Sequence, residues 1–281
     1  MATDRKPLEG KVAVVTGGTR GVGKGVALAL GEAGALVYVT GRTMEPGNAS
    51  WSGSLRETAE EIARRGGRCI PLVCDHADDE QVEQLFARVH EEQDGRIDVL
   101  VNNVFAAPAQ MPVNVPFWQL DDGLWETLLH VGLRSHYIAS RCAAPRMVAR
   151  RQGLIVNTSS GGAVRYTFNV PFGVQKAGVD KMARDMAHDL RPFDVAAVVI
   201  WPGFIKSEKF LAQPDRLPPA LAQRIMADGE SPEFAGRAVA ALAADPHVME
   251  KSGKLLLAAE LAAEYGFVDV DGRVPQAPSR V

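Results

Sequence analysis

The stretch Thr16-Gly17-Gly18-Thr19-Arg20-Gly21-Val22-Gly23 lies between an apolar run and an alanine-rich run. The residues before it, 11–15, are β-branched and almost continuously hydrophobic, which is typical of a strand buried on both faces of a parallel sheet. Residues 23–33 place Val26, Leu30 and Ala33 on one face of a helix, and Gly34 ends that helix. The stretch is therefore predicted to be the turn between a strand and a helix.

Three glycines in this turn predict a phosphate-binding site. Gly17, Gly21 and Gly23 allow a sharp turn, close approach of the backbone to a pyrophosphate and close packing of the helix on the strand. The free N–H groups at the start of the helix face the anion. An ordinary glycine-rich turn is the alternative, but the flanking strand and helix are the context that the motif requires.

The rest of the chain alternates short apolar runs with longer amphipathic runs. Further strands are predicted at residues 36–40, 69–73, 99–101, 154–158, 195–200 and 255–257, and helices at 55–65, 79–93, 122–150, 172–190 and 232–243. Residues 44–54 are predicted to form a long exposed loop. The alternation predicts an α/β, doubly wound Rossmann fold whose seven-stranded, mostly parallel sheet carries helices on both faces. The length of 281 residues suits a single domain spanning 1–281.

Composition excludes several classes of protein. The net charge of -3 and the pI near 6.1 argue against a nucleic-acid partner. No apolar run reaches the length of about 18 residues that spans a bilayer, so we predict a cytoplasmic protein without a membrane partner. Cys69, Cys74 and Cys142 form no CxxC pair, which predicts buried, reduced thiols and no metal site.

Several motifs together resemble the short-chain dehydrogenase/reductase family, from residue 11 to about residue 266. The family's Thr-Gly-x-x-x-Gly-x-Gly is met by Thr16, Gly17, Gly21 and Gly23. Its Asn-Asn-Ala-Gly is half met by residues 102–105, and its Pro-Gly is met by residues 202–203. Residues 131–137, 168–171 and 269–273 further resemble one animal subgroup of the family.

The resemblance implies a nicotinamide dinucleotide as cofactor. Members that prefer NAD carry an acidic residue at the end of the second strand, where this chain has Gly41 followed by Arg42. The Arg20 and Arg42 guanidinium groups can flank a ribose 2′-phosphate, which favours NADP (NADPH) over NAD, although Arg42 could also be a solvated loop charge. The implied cofactor-binding residues are Thr16, Gly17, Arg20, Gly21, Val22, Gly23, Arg42, Asp75, Asn102, Lys176, Pro202, Gly203 and Ile205.

The catalytic residues implied by the resemblance are Ser160, Phe172 and Lys176. In the family a tyrosine four residues before a lysine donates the proton, and an earlier serine bonds the substrate oxygen. Lys176 is present, but the tyrosine position holds Phe172, which has no hydroxyl. Ser160 matches the serine if the loop is one residue shorter, and Ser159 has the commoner spacing. Gly132 stands where the family has a relay asparagine.

Other residues could replace the missing phenol. Tyr166 lies in the loop before the helix, and His130 and His136 flank Gly132 on the long helix. Each also has a structural interpretation, as a tyrosine at the edge of a lid or as a histidine satisfied within the core. In enoyl reductases of the superfamily the tyrosine stands seven residues before the lysine, and that position is Asn169.

Residues 204–230 are predicted to form a small lid over the substrate. Its apolar residues, including Phe204, Phe210 and Leu211, favour a hydrophobic aldehyde, ketone or alcohol, although surface helix packing is an alternative. The resemblance implies a homodimer or homotetramer. Two functions stay open: an NADP(H)-dependent oxidoreductase with impaired turnover, and a non-catalytic NADP(H)-binding sensor or assembly protein.

Overall fold

Seven parallel strands form the centre of the computed structural model, which describes residues 5–47, 53–106, 108 and 111–277. The strands are β1 (Val12–Thr16), β2 (Leu36–Gly41), β3 (Arg68–Val73), β4 (Val99–Asn102), β5 (Gly153–Thr158), β6 (Val195–Trp201) and β7 (Leu255–Leu257). Their order is β3-β2-β1-β4-β5-β6-β7, and every pair is parallel. The predicted Rossmann fold is confirmed, and the sheet is parallel throughout. The strand order reverses between β1 and β4, where open α/β sheets bind their ligands.

Helices cover both faces of this sheet. They are α1 (Gly21–Glu32), α2 (Leu55–Arg64), α3 (Asp79–Glu92), α4 (Asp122–Leu129), α5 (Ser135–Arg150), α6 (Val170–Leu190), α7 (Glu208–Ala212), α8 (Pro219–Asp228), α9 (Pro232–Ala244) and α10 (Ala258–Tyr265). Asp78 caps α3, since its side chain accepts hydrogen bonds from the N–H groups of Glu80 and Gln81.

Alternate residues of each strand enter two different cores. Val15 and Val39 pack with Phe234 of α9 on one face of the sheet. Val14 and its β2 neighbour Tyr38 belong to the core on the opposite face. Because side chains alternate across a strand, a strand buried on both faces must be apolar at nearly every position. This explains the continuous hydrophobic runs in the sequence.

Two glycines let α1 and α9 lie with their backbones in contact. A Cβ atom added to Gly25 would lie 2.1 Å from the carbonyl oxygen of Pro232. A Cβ atom on Gly236 would lie 2.2 Å from the carbonyl oxygen of Gly25. Any side chain at either position would force the helices apart. The contact holds α9 against α1, the helix that begins at the glycine turn.

The predicted continuous helix over residues 122–150 is interrupted. A π-helical turn, His130–Arg134, separates α4 from α5. Within this turn the carbonyl oxygen of Gly132 accepts a hydrogen bond from Gln175 Nε2 of α6, at 2.7 Å. The hydroxyl of Ser135 donates to the carbonyl of Val131, at 2.5 Å. These contacts give backbone carbonyls partners outside the regular α-helical ladder, as is common at π-bulges near functional sites.

The segment 204–230 contains α7, a short 3₁₀ turn (Pro214–Arg216) and α8. Its two ends meet in a parallel bridge between Ile205 and Glu230, where Glu230 N–H donates to Phe204 O at 2.8 Å. The role of this segment as a lid, and the single-domain assignment for 1–281, stay predictions. Residues 48–52 of the predicted 44–54 loop lie outside the described residues.

Two other predictions concern burial and membrane contact. Cys74 is buried, whereas Cys69 and Cys142 are only partly buried. Within the described ranges, none of the helices combines the length and the apolar character needed to cross a membrane.

Candidate active site

A cavity of about 740 Å³ lies at the carboxyl ends of the central strands. The glycine turn after β1 forms one end, and residues from the start of α6 form the other. The sequence-predicted site residues that line it are Gly17, Arg20, Gly21, Val22, Gly23, Arg42, Asp75, Ser160, Phe172, Lys176, Pro202, Gly203 and Ile205. The fold thus brings together residues that lie up to 188 positions apart, such as Gly17 and Ile205.

The glycine turn is shaped for close contact between backbone segments. Gly17 has a φ of +72°, and a Cβ atom there would lie 2.7 Å from the Cα of Val104. A Cβ atom on Gly23 would lie 2.2 Å from the carbonyl oxygen of Gly17. Only glycine fits both positions without displacing backbone. The cradle left by these glycines matches the close approach that a dinucleotide pyrophosphate requires.

Two predicted cofactor residues, Thr16 and Asn102, do not line this cavity. Thr16 Oγ1 lies beneath the turn and accepts hydrogen bonds from the N–H groups of Asn103 and Val104, at 3.0 and 3.2 Å. Asn102 is fully buried, and its Nδ2 donates to Ser140 Oγ and Asn157 Oδ1. The Thr16 side chain joins β1 to the residues that follow β4, and the Asn102 side chain joins β4 to α5 and β5. Both side chains therefore support the cavity wall without lining the cavity.

Asn103 occupies the wall instead. Its Nδ2 donates to the carbonyl oxygens of Thr16 and Gly17, each at 3.0 Å. Asn103 belongs to the Asn-Asn motif but is not among the residues predicted for the site. Successive side chains of a strand point to opposite faces. This alternation could have indicated that Asn103, and not Asn102, lines the cavity.

Three cationic side chains line the part of the cavity near the end of β2. Arg20 is half-buried and Arg42 is exposed. Lys209 of α7 is the third, and it is not among the residues predicted from the sequence. Burial lowers the pKa of Lys209, and the charges of Arg216 and Arg20 lower it further. Asp75 also lines this region, and its Oδ1 accepts from the N–H of Ala77 at 3.0 Å.

The segment 204–230 places a carboxylate on the glycine turn. Glu208 Oε2 accepts a hydrogen bond from the N–H of Gly21 at 2.8 Å. Gly21 is the first residue of α1, where unpaired N–H groups and the helix dipole attract anions. Glu208 therefore uses one of the donors that a phosphate group would otherwise use.

Aromatic rings surround the other end of the cavity. Phe172 is 7% exposed, and its ring packs edge-to-face against Phe105 and Phe168 at centroid distances of 6.1 and 5.0 Å. The N–H of Phe172 donates to Asn169 Oδ1 at 3.0 Å, which caps α6. Asn169 thus serves as a helix cap, and Phe172 is held in a fixed position.

Lys176 lies one helical turn beyond Phe172 and is only 9% exposed. Its Nζ is 5.0 Å from the ring centroid of Phe105 and 5.8 Å from that of Phe172. Burial lowers the pKa of Lys176 to about 8, and the charge of Asp180 opposes that effect. The ammonium is therefore poorly solvated and close to its titration point at mildly alkaline pH.

The two adjacent serines have different surroundings. The Ser159 hydroxyl donates to the carbonyl oxygen of Lys176 at 3.2 Å and also lies within hydrogen-bond reach of Asp180. Ser160 Oγ accepts from the N–H of Gly162 at 3.3 Å. A Cβ atom on Gly162 would lie 2.5 Å from the Phe172 ring and 3.3 Å from Ser160 Oγ, so both face the same small space. The contacts favour Ser160 as the serine beside Phe172.

The alternative proton donors lie away from the cavity walls. Tyr166 is 70% exposed. His130 Nε2 lies 2.9 Å from the carbonyl oxygen of Ala77. His136 is buried, and its Nε2 donates to the carbonyl oxygen of Val104 at 3.0 Å. Burial, together with the charge of Lys176, lowers the pKa of His136 to about 3, so the ring is neutral at physiological pH.

Gln175, which is buried beside Lys176, is likewise not among the residues predicted from the sequence. A Cβ atom on Gly132 would lie 2.7 Å from Gln175 Nε2. Gln175 therefore fills the space that a larger residue at position 132 would need. Only the packing of α6 on the π-helical turn reveals this pair.

Comparison with known proteins agrees with this architecture. The model of the short chain dehydrogenase family matches residues 11–215. The chain therefore belongs to the short-chain dehydrogenase/reductase family.

Particular relatives and one solved structure extend the comparison. The chain is 44% identical over 275 residues to the mouse protein "Dehydrogenase/reductase SDR family member 1", covering 95% of this chain and 85% of that one. The human protein of the same name is 44% identical over 278 residues, covering 96% and 86%. A solved metagenomic short-chain oxidoreductase in complex with NADP has a TM-score of 0.71 at 27% identity, covering 89% of this chain and 97% of the other.

Proposed function

We propose that the protein is an NADP(H)-dependent oxidoreductase that transfers hydride to or from a hydrophobic carbonyl or alcohol, with turnover limited by Phe172 at the tyrosine position. The observation that carries the proposal is a single cavity with a glycine-lined phosphate cradle at one end and Ser160, Phe172 and Lys176 at the other. Such a cavity suits a dinucleotide that extends from the cradle to the reacting carbon.

The choice of NADP rests on charge at the end of β2. Gly41 provides no carboxylate there, and the Arg20 and Arg42 side chains line the cavity beside it. Lys209 adds a third cation from the lid segment. A ribose 2′-phosphate would form charge-assisted hydrogen bonds with guanidinium groups in this region. The NADP complex of the metagenomic relative supports the same assignment.

When bound, the nicotinamide supplies or accepts the hydride. In this proposal Ser160 donates a hydrogen bond to the carbonyl oxygen of the substrate, and Lys176 provides positive charge nearby. Pro202, Gly203 and Ile205 offer backbone groups to the carboxamide end of the cofactor. The Phe172 ring fills the position from which a tyrosine would donate the proton, but it has no proton to give.

The aromatic wall favours a hydrophobic substrate. Phe105 and Phe172 line the cavity, and Phe168 packs against Phe172. The segment 204–230, proposed as the lid, exposes Phe204, Leu211 and Met226. An aldehyde, ketone or alcohol with an aromatic or aliphatic body would bury more of this surface than a sugar would.

A second function from another class is a non-catalytic NADP(H)-binding sensor or assembly protein. The absence of a hydroxyl at position 172 favours this function, because it removes the proton donor. The remaining residues still form a cavity large enough for the cofactor. Both functions predict cofactor binding, and they differ only in turnover.

The substitution Phe172→Tyr tests the proposal. A positioned general acid contributes about 10² to 10⁴ in rate, so reduction of hydrophobic aldehydes and ketones should rise by at least about tenfold. NADPH affinity, measured by fluorescence titration, should change little, because the new oxygen points toward the substrate. Phe168→Tyr is the matched control, since it adds a hydroxyl to a neighbouring ring.

Two results would contradict the proposal. Brisk turnover by the unmodified protein would mean that another group donates the proton. No gain in Phe172→Tyr across a broad panel of carbonyl compounds, with binding and fold intact, would favour the non-catalytic function.

A further inference from the structure

The amine of Lys176 is an isolated nucleophile in an apolar part of the cavity. Its Nζ lies over the rings of Phe105 and Phe172, at 5.0 and 5.8 Å from their centroids. In the described part of the chain no carboxylate lies within ion-pair distance of this nitrogen. The lysine nevertheless lines a cavity of about 740 Å³, large enough for a small organic molecule.

The carboxylate whose charge acts on Lys176 has other partners. Asp180, one turn further along α6, accepts from Trp201 Nε1 at 3.2 Å and interacts with the Ser159 hydroxyl. From α5, His136 is neutral, so it adds no charge near Lys176 at physiological pH. The two aromatic ring faces favour the ammonium form.

Burial has the opposite effect on the pKa of Lys176 to the rings and to the charge of Asp180, and the effect of burial is the largest. It lowers the pKa of Lys176 to about 8. At pH 8 about half of these side chains would carry a free amine, roughly a hundredfold more than for a solvated lysine. A desolvated lysine in an apolar pocket is the usual form of an amine that reacts with carbonyl groups.

We propose that Lys176 condenses with hydrophobic aldehydes to form a covalent imine in the cofactor-free protein. Nζ attacks the carbonyl carbon, a C–N bond forms, and a proton moves from nitrogen to oxygen to give a carbinolamine. The C–O bond then breaks, the hydroxyl leaves as water with the remaining N–H proton, and the electron pair of that N–H bond completes the C=N bond. No oxidant or reductant takes part, so this activity is independent of hydride transfer and goes beyond the proposed function.

The architecture selects the class of aldehyde. The rings of Phe105 and Phe172 flank the amine and would pack against an aromatic or aliphatic body. Lys181, five residues further along α6, pairs with Asp185 at 2.6 Å and is exposed. It is therefore a matched reference on the same helix.

The experiment uses the full chain without cofactor. The protein is incubated with 2-naphthaldehyde at pH 8, reduced with sodium borohydride, and examined by intact mass and by peptide mapping. We expect about one adduct per chain, at Lys176, with at least tenfold more labelling there than at Lys181. Labelling should rise between pH 7 and pH 9 and should fall when NADPH is added.

Two variants complete the test. Lys176→Arg should lose the adduct, and Lys181→Arg should keep it. Adducts distributed over the exposed lysines, or an unlabelled Lys176 in the unmodified protein, would overturn the proposal without any need for a variant. Because the readout is mass, failure of hydride transfer would leave this result unaffected.

Discussion

Glu230 links the pH of the solution to the stability of the fold. It lies at the base of the segment 204–230 and is 1% exposed. Burial raises the pKa of this carboxyl from 4.5 to about 8, and the nearby charge of Asp269 adds to the effect. The nearby backbone of Gly203 opposes it. At neutral pH the folded protein therefore holds a proton here that the unfolded chain has released.

The direction of the effect follows from proton linkage. Between pH 4.5 and about 8 the native state binds more protons at Glu230 than the unfolded state does. The contribution of this group to the free energy of unfolding is therefore complete below pH 4.5 and is lost as the pH rises toward 8. At about 1.4 kcal/mol for each pKa unit, the loss is on the order of 3 to 5 kcal/mol.

The substitution Glu230→Gln removes the titration and keeps the shape of the neutral side chain. Relative to the unmodified protein, the variant should gain on the order of 3 kcal/mol of stability between pH 5 and pH 8. For a chain of this size that corresponds to a relative rise in Tm of about 5 to 10 °C. Calorimetry or circular dichroism at both pH values measures it.

The control for this comparison is Glu91→Gln, which changes an exposed carboxylate on α3. The difference in the free energy of unfolding between Glu91→Gln and the unmodified protein should vary little with pH. A Glu230→Gln variant whose stability difference stayed constant from pH 5 to pH 8 would refute the reasoning, because it would mean that Glu230 titrates near its ordinary pKa.

Three further outcomes are expected. Glu208→Gln should tighten NADPH binding by about tenfold, because it removes a negative charge that lies beside the Gly21 N–H. The control Asp215→Asn, on the same segment, should leave NADPH binding unchanged. Equal or weaker NADPH binding by Glu208→Gln would contradict this reasoning. Arg42→Ala should remove most of a preference of about tenfold to a hundredfold for NADPH over NADH, and equal affinities in the unmodified protein would defeat the assignment. Sedimentation should reveal a homodimer or homotetramer, and a species of 30.2 kDa alone at micromolar protein would exclude both.

Much of the fold could be predicted from local sequence. The β-branched runs, the amphipathic helices and the glycine turn are each continuous stretches of the chain, and the seven predicted strands are all present in the predicted order. The phosphate cradle depends on Gly17 and Gly23, because any side chain at either position would clash with backbone atoms. These features depend on periodicity and backbone sterics, which a short stretch of chain specifies by itself.

The continuous helix over residues 122–150 shows where local pattern fails. Its hydrophobic period suits a single helix, yet the chain contains a π-helical turn at His130–Arg134. Gln175 bonds the Gly132 carbonyl there, from a helix 43 residues further along the chain. Helix propensity contains no information about this partner.

The environment of each site residue depended on packing between distant segments. Glu208 meets Gly21 across 187 residues, and Lys176 of α6 lies beside the ring of Phe105 in the loop after β4. Asn102 and Asn103 are adjacent in sequence, but Asn102 is buried at the end of β4 and Asn103 lines the cavity. Hydrogen-bond partners, burial and pKa depend on which atoms approach in space, and only the tertiary fold sets those distances.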